Sequence, residues 1–592
     1  MVPGKRRKRR TKTMRKKSLR FISAALAVSM MASTLPVGAF ALEVGAGETT
    51  AAVSEQEAAT SHRLEGGEII GEGVANGTVY TLSGNYTKGI TIETKQDITI
   101  NIDDEVTITG VAKFLDVTGT GKVTINGTKD GAAQKIKMTT NFGEVGGDTG
   151  IVYLDAAGAD VTCNGGDYYS VETGNVGSTY SVFCVKDGSL KLNKVIAEAG
   201  ESTGVVDCGV YTTSSLATVE IHGGSFKASG FNSRVIHCGN KGTMTINNAT
   251  LEMHNGGSYV LAANGSSAEL KIYSSTVIGE NETSCVTVQH RGSFWAENCE
   301  FTSVGNQNYN GGLLYMLSGE ATIKDSSYVA KQSGVNGIRT SYMLYGLNGP
   351  HKLTVENTEI KGCENALSFG YDPDGSDIKL KNVTFEDNET DIYLENDENT
   401  PANAPQVKLD KGTKDTAGAI TVEVENPANG VQITTKTTDE DYQQNLKLAS
   451  KNDGWLIGYK KDADGEYRYL TKREGDNYFG LNTINATATT GEGDNAATLE
   501  SYAQLTEGTP VKLTADIPGG KPCTGWKVEK IAAEGVTEVH DAGVIKYDPE
   551  NPETATLTMP HYDIFVTAEY EHEDESVDPG TSDTDYGGDI AR

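Results

Sequence analysis

Residues 378–389 read IKLKNVTFEDNE: apolar residues astride a lysine, then an asparagine, and a phenylalanine three places later. The same grammar returns upstream in other words, as MTINNATLEMHN at 244–255, FWAENCEFTSVG at 294–305 and LTVENTEIKGCE at 353–364. Placing the first apolar residue of each unit in register gives the anchors Val161, Leu190, Val219, Met244, Leu270, Phe294, Ala321, Leu353 and Ile378. Their spacings are 29, 29, 25, 26, 24, 27, 32 and 25 residues. A period of this size marks a stacked repeat in which each unit buries its apolar face against the next.

Four places after the anchor stand Gly165, Gly223, Asn248, Ser274, Asn298, Asp325, Asn357 and Asn382, residue types suited to sharp turns. Seven places after it stand Tyr168, Phe226, Leu251, Val277, Phe301, Tyr328, Ile360 and Phe385, all bulky. Only the Leu190 unit departs from the pattern, with Asn193 and Ile196 each one place early. Every unit therefore reads as a strand, a one-corner turn and a second strand. Stretches such as VFCV, RVIHC, YVLAA, CVTVQ and YMLYG ahead of the anchor supply a third strand. Three short strands per 24–32 residues make a coil, and successive coils pair as parallel sheets about 4.8 Å apart.

These residues resemble the right-handed single-stranded parallel β-helix of the pectate-lyase-like superfamily, including its asparagine-rich corner. The expected fold class is all-β: a parallel β-helix over about 65–400, then terminal coils, cap and linker over 401–483. Residues 42–64 are polar and acidic and read as a linker or N-terminal cap. Over 484–571, Gly508, Val511, Leu513, Ala515, Gly525, Trp526, Met559, Pro560, Val566, Ala568 and Tyr570 resemble a divergent internalin-B-type repeat. That resemblance implies a small β-rich spacer or binding module, with Trp526 and DIFVTAEY in its core. Residues 572–592 read as a disordered acidic tail.

Residues 1–41 read as a secretory signal: a basic stretch, an apolar run and a small-x-small site at Ala39-Phe40-Ala41. No charge follows to stop transfer, so secretion to the cell surface is expected, without membrane insertion after cleavage. Eleven of the 51 basic residues lie in the first 20, so removal leaves 40 against 81 acidic side chains, a net charge of −41. Such a surface repels nucleic acid, which is gripped by clustered Lys and Arg.

Enzymes resembling this fold use acidic Ca²⁺ ligands with a basic residue, or clustered aspartates with a Gly-His-Gly segment. No Gly-His-Gly occurs, and the adjacent pair Asp103-Asp104 stands alone. The basic candidates for catalysis are His290 and Arg291 in VQHRGSFW and Arg339 in GIRTSY. Their offsets from the anchor differ, so they do not form a single file, and ordinary solvated turn residues are the competing reading.

Trp295 takes the outward place on its strand, where other units carry Lys191, Glu220, Thr245, Lys271, Thr322, Thr354 and Lys379. A Trp on a flat face with Lys271 below and Thr322 above suits stacking against a sugar ring. Burial under a neighbouring loop such as GNQNYNGG is the alternative. Asp372, Asp374 and Asp377 in YDPDGSD, and Asp462, Asp464 and Glu466 in KDADGE, surround glycines as Ca²⁺ loops do. Both segments lack a distal bidentate Glu, and Asp-Gly is ordinary turn chemistry. Calcium is the one cofactor the sequence suggests.

The eight cysteines read mostly as buried small hydrophobes. Cys184 and Cys238 share an offset two coils apart, beyond disulfide reach, and Cys163, Cys208, Cys285, Cys299 and Cys363 each hold a different offset. The sequence as a whole points to a non-catalytic surface protein whose partner is a glycan or a host or neighbouring-cell surface. A polysaccharide lyase or glycoside hydrolase on the same rod is the alternative, and a structural spacer the third reading.

Overall fold

A computed structural model describes residues 61–570, apart from 140–147, 171–180, 202, 210–215, 231–232, 282, 305–311, 332–333, 342–350, 371–375, 401–402, 411, 439–445, 492, 494–495, 501 and 533–534. Among the described residues, 36 strands form a parallel β-solenoid of about 11 turns. The expected all-β fold class is the observed one. Among the described residues no α-helix is present, 3-10 geometry is brief as at Pro518–Gly520, and no helix is long and apolar enough to cross a membrane.

The anchors stack in one file. Ile98 pairs with Val123 and Val123 with Val161; the line then runs through Leu190, Val219, Met244, Leu270, Phe294, Ala321, Leu353 and Ile378 to Val407. The first sheet is built from these strands. Their first and third residues point inward and the second outward, as the two-residue period of a strand requires.

The corner that follows is a single residue in the left-handed region: Asn248 at φ 54°, Ser274 at 48°, Asn298 at 56°, Asp325 at 47°, Asn357 at 49° and Asn382 at 51°. Each corner donates its backbone N–H to the coil above, as Asn298 does to Lys324 O at 3.1 Å and Asn357 to Lys381 O at 2.9 Å. The side chains form a second ladder. Asn357 Nδ2 donates to Asp325 Oδ1, and Asn382 Nδ2 donates to Asn357 Oδ1, both at 2.9 Å. A parallel asparagine ladder closes the first sheet at Asn101, Asn126, Asn164 and Asn193, with side-chain bonds of 2.9–3.1 Å. The polar amide is thus satisfied by its own copy one coil away, which is why the residue type repeats.

Beyond the corner the second sheet turns the bulky residue inward. Tyr168, Phe226, Leu251, Val277, Phe301, Tyr328, Ile360 and Phe385 are all essentially buried, and Phe301 stacks on Tyr328 at 4.5 Å with rings 14° from parallel. The Leu190 unit does not slip. Lys194 takes the corner at φ 52°, and Ala197 sits in register between Tyr168 and Phe226. The backbone position is kept with poorer residue types, and Ile196 is left 44 % exposed on the outside.

The third sheet carries Val152–Leu154, Phe183–Val185, Gly204–Cys208, Arg234–Cys238, Tyr259–Asn264, Ser284–Gln289, Gly312–Met316, Asn336–Thr340, Asn365–Phe369 and Thr390–Leu394. In the Leu353 unit the third strand is Asn336–Thr340; YMLYG lies outside the described residues. The stretch between the third strand and the next anchor strand varies in length, three residues after Cys238 but eight after Cys208, so the third strand's offset from its anchor shifts and the sequence pattern alone could not follow it.

The top of the rod is closed by an antiparallel hairpin, Trp455–Asp462 with Gly465–Lys472, whose Ile457 and Leu470 complete the rod core. Arg468 is fully buried there, its guanidinium 4.1 Å from the Tyr502 ring centre, and it donates to Leu446 O at 3.2 Å. Two five-stranded sheets follow from Tyr478 to Tyr570. Their core holds Leu481, Val511, Leu513, Trp526, Val528, Leu557, Ile564 and Val566, with Trp526 Nε1 donating to Pro552 O at 2.7 Å. Val536 N donates to Ala417 O at 3.0 Å, and Phe565 packs with Ala419 and Ala449 of the rod. The module therefore covers strand edges that an open rod would expose.

Candidate functional site

Trp295 lies in one outward file with Lys191, Glu220, Thr245, Lys271, Thr322, Thr354 and Lys379, with Lys271 and Thr322 as its direct neighbours. It is half-buried. Its indole N–H donates to Glu297 Oε2 at 3.3 Å, and Lys324 Nζ stands 5.2 Å from the ring centre. The adjoining file places Tyr273, Glu297 and Lys324 beside Lys271, Trp295 and Thr322. Lys271 is held by Glu269 at 2.6 Å. An aromatic ring is thus set among alternating donors and acceptors at the strand spacing of about 4.8 Å. The Lys324 ammonium shares the ring face, an exposed contact on the order of 0.5–1 kcal/mol that a stacked ligand must displace. Residues 305–311, from the loop that offered the alternative cover, lie outside the described residues.

The third sheet differs from the first in its outward file, which is buried from Tyr153 to Thr287 and half-exposed at Asp116, Tyr315, Arg339, Tyr393 and Glu423. From coil to coil this file runs Asp116, Tyr153, Cys184, Asp207, His237, Ala262, Thr287, Tyr315, Arg339, Ser368, Tyr393 and Glu423. Asp207 is fully buried and His237 8 % exposed. Arg234 donates to Asp207 through Nε at 2.9 Å and Nη2 at 2.6 Å, and Ser181 Oγ donates at 2.5 Å. Burial alone would push the Asp207 carboxyl up; the Arg234 guanidinium overrides it and holds the group well below the usual carboxylate range. His237 Nδ1 lies 3.5 Å from Asp207 Oδ1, a long contact, and its Nε2 is 3.3 Å from Asn264 Nδ2. Asn264 Oδ1 in turn accepts from His290 Nδ1 at 2.5 Å.

Polar contacts therefore run from His290 through Asn264 to His237, which lies beside the buried Asp207 without a hydrogen bond from its Nδ1. With the Asn264 amide nitrogen toward His237, His290 donates from Nδ1 to Asn264 Oδ1. His290 and Arg291 form the turn into the Trp295 strand, with φ of 54° and 66°. Two consecutive side-chain-bearing residues in the left-handed region cost on the order of 1–2 kcal/mol each. Arg339 is elsewhere: it shares the outward file of His237, four coils further on, and donates to Glu395 Oε1 at 3.0 Å. The three basic candidates do not converge.

Asp377 is exposed and pairs with Lys379 at 2.6 Å, while Asp372 and Asp374 lie outside the described residues. In the second acidic turn Asp462 and Asp464 face Lys436 at 2.8 and 3.5 Å, whereas Glu466 points into the cap toward Lys461 at 3.1 Å. Its three carboxylates diverge. Asp103 pairs with Lys129 at 2.7 Å. Among the described residues no group of three or more His, Cys, Asp or Glu could hold a metal ion.

Asp207, His237 and Asn264 are the polar residues the sequence pattern passed over. A signal existed: VVDCG at 205–209 and VIHCG at 235–239 are one phrase repeated, with Asp and His exchanged. No family model matches the chain, and no curated protein is found to be similar to it.

Proposed function

We propose that this chain is a secreted bacterial surface protein that holds a glycan, on a host or neighbouring cell, against the flat first sheet of its rod without catalysis. The observation that carries this reading is the in-register placement of Lys271, Trp295 and Thr322 on a face with Tyr273, Glu297 and Lys324 alongside. A half-exposed indole offers a sugar ring a broad apolar contact, and the flanking side chains offer hydroxyl partners at coil spacing. Export is supported by the basic-then-apolar leader over residues 1–41. The pectate-lyase-like corner and the internalin-B-type resemblance of the last module both suit a rod displayed at a surface. Calcium, if it contributes, does so at the turn containing Asp372, Asp374 and Asp377.

A glycan array probed with wild type and Trp295→Ala tests this directly. Binding that the variant loses supports the reading; equal binding by both removes Trp295 as the contact, and no binding by either leaves the rod a spacer. The second reading, a lyase or hydrolase of acidic polysaccharide, is favoured by the Asn264 contact that orients the His290 imidazole beside Arg291. Release of unsaturated uronates, followed by ultraviolet absorbance, or of reducing ends would establish it over the first.

A further inference from the structure

Among the register pairings of the described strands, one joins two cysteines. Cys208 and Cys238 are direct partners in adjacent coils of the third sheet. Both side chains point into the rod and are fully buried. The expectation that Cys184 and Cys238 share a position is corrected here: Cys184 faces outward and pairs with Asp207, which pairs with His237. Cys208 stands eleven places before its anchor and Cys238 six, so unequal loops hid the match.

We propose that Cys208 and Cys238 close a disulfide between neighbouring coils as the chain folds. In-register residues of parallel strands sit about 4.8 Å apart, inside the Cα separation of roughly 4.4–6.8 Å that a disulfide spans. The two sulfurs also converge on the same dipeptide: Cys238 Sγ lies 3.2 Å from Gly242 O and Cys208 Sγ 3.8 Å from Thr243 O. Gly242 is what admits them, since a Cβ there would meet Cys208 O at 2.5 Å and Cys238 Sγ at 3.0 Å.

In the folded rod, burial and then the adjacent Cys238 thiol push the Cys208 thiol well above its ordinary value. Attack on an oxidant requires a thiolate, so oxidation belongs to folding, before the coils close. One thiolate attacks the disulfide of an oxidant such as glutathione disulfide and expels one of its sulfurs as a thiolate. The second cysteine thiolate then attacks the mixed disulfide, forming the Sγ–Sγ bond and releasing the other oxidant sulfur. Two thiols are oxidised, the oxidant's disulfide is reduced to two thiols, and no atom is left over. The inference does not depend on what the rod binds.

The full chain is unfolded in urea with reductant, then refolded either with a glutathione redox mixture or with reductant. Thiols are alkylated under denaturing conditions and peptides mapped by mass spectrometry without reduction. The oxidised sample should yield one linked peptide pair joining 208 to 238, two hydrogens lighter than its parts, with the other six of eight cysteines alkylated. Its urea midpoint should exceed that of the reduced sample, because the link closes a loop of about 30 residues in the unfolded chain. Cys208→Ala and Cys238→Ala should each show neither the linked pair nor the redox-dependent midpoint. Alkylation of all eight cysteines after oxidative refolding, or a link from Cys208 or Cys238 to any other cysteine, would overturn the proposal.

Discussion

Asn357 offers the sharpest mutational reading of the corner. Its φ is 49°, its backbone N–H donates to Lys381 O, and its amide bridges Asp325 and Asn382 at 2.9 Å each. The side chain is exposed, so each of the two amide bonds is worth about 0.5 kcal/mol net, the low end for a protein hydrogen bond. Asn357→Gly loses those bonds and keeps an unstrained backbone, a cost of about 1 kcal/mol. Asn357→Ala loses them and also forces a Cβ into the left-handed region, which adds about 1 kcal/mol and brings the cost to about 2 kcal/mol. The order is the reverse of the usual preference, in which Ala is better than Gly inside regular structure by roughly 0.5–1 kcal/mol. Urea unfolding followed by tryptophan fluorescence reads the difference, provided the slope stays constant across the three proteins. An alanine variant as stable as the glycine variant would refute a corner held in left-handed geometry.

The Leu190 unit carries the converse prediction: Lys194→Gly relieves a side chain at φ 52° and should raise the urea midpoint, by up to about 1 kcal/mol. Tyr328→Ala removes a fully buried ring stacked on Phe301 and should cost about 3–5 kcal/mol in the same assay. Arg468→Ala empties the joint between Tyr459 and Tyr502, so limited proteolysis should release the last module sooner than from wild type. Asp391 bears on pH. Burial first, and then the charge of Asp415, push its carboxyl up to about 7, against about 4 in an unfolded chain. The folded state holds that proton more tightly, so stability is greatest below about pH 4 on this account and declines as pH rises toward 7. Asp391→Asn should flatten the thermal midpoint across that window; an unchanged profile would mean that the group is not responsible.

The corner and the first two sheets were legible because each inward position repeats a chemical demand. Asn298, Asn357 and Asn382 must turn left and bond their copies, while Phe301 and Phe385 must fill the shaft. Lys194 and Ala197 show where such reading falters: register is set by the coils on either side, and one unit can satisfy it with unsuited residue types. The third strand was followed less well because Asp207 stands twelve places before its anchor and His237 seven. The intervening loops alter the count without altering the stack. For the same reason the Lys271–Trp295–Thr322 file was foreseen, whereas the Asp207–His237–Asn264–His290 contacts and the Cys208–Cys238 partnership were not. In KDADGE, carboxylate spacing did not disclose side-chain direction: strand alternation sends Glu466 inward and Asp462 outward.

The stack itself is open to direct measurement by pulsed electron paramagnetic resonance. One nitroxide is fixed at Lys191 and the second is moved along its outward file to Thr322, Thr354 or Lys379, which are five, six and seven coils away. The native cysteines are all buried, so labelling of the folded chain at an introduced cysteine is selective. A parallel solenoid predicts mean distances of about 24, 29 and 34 Å, rising by one strand spacing per coil. Distances that fail to lengthen with each coil would contradict it.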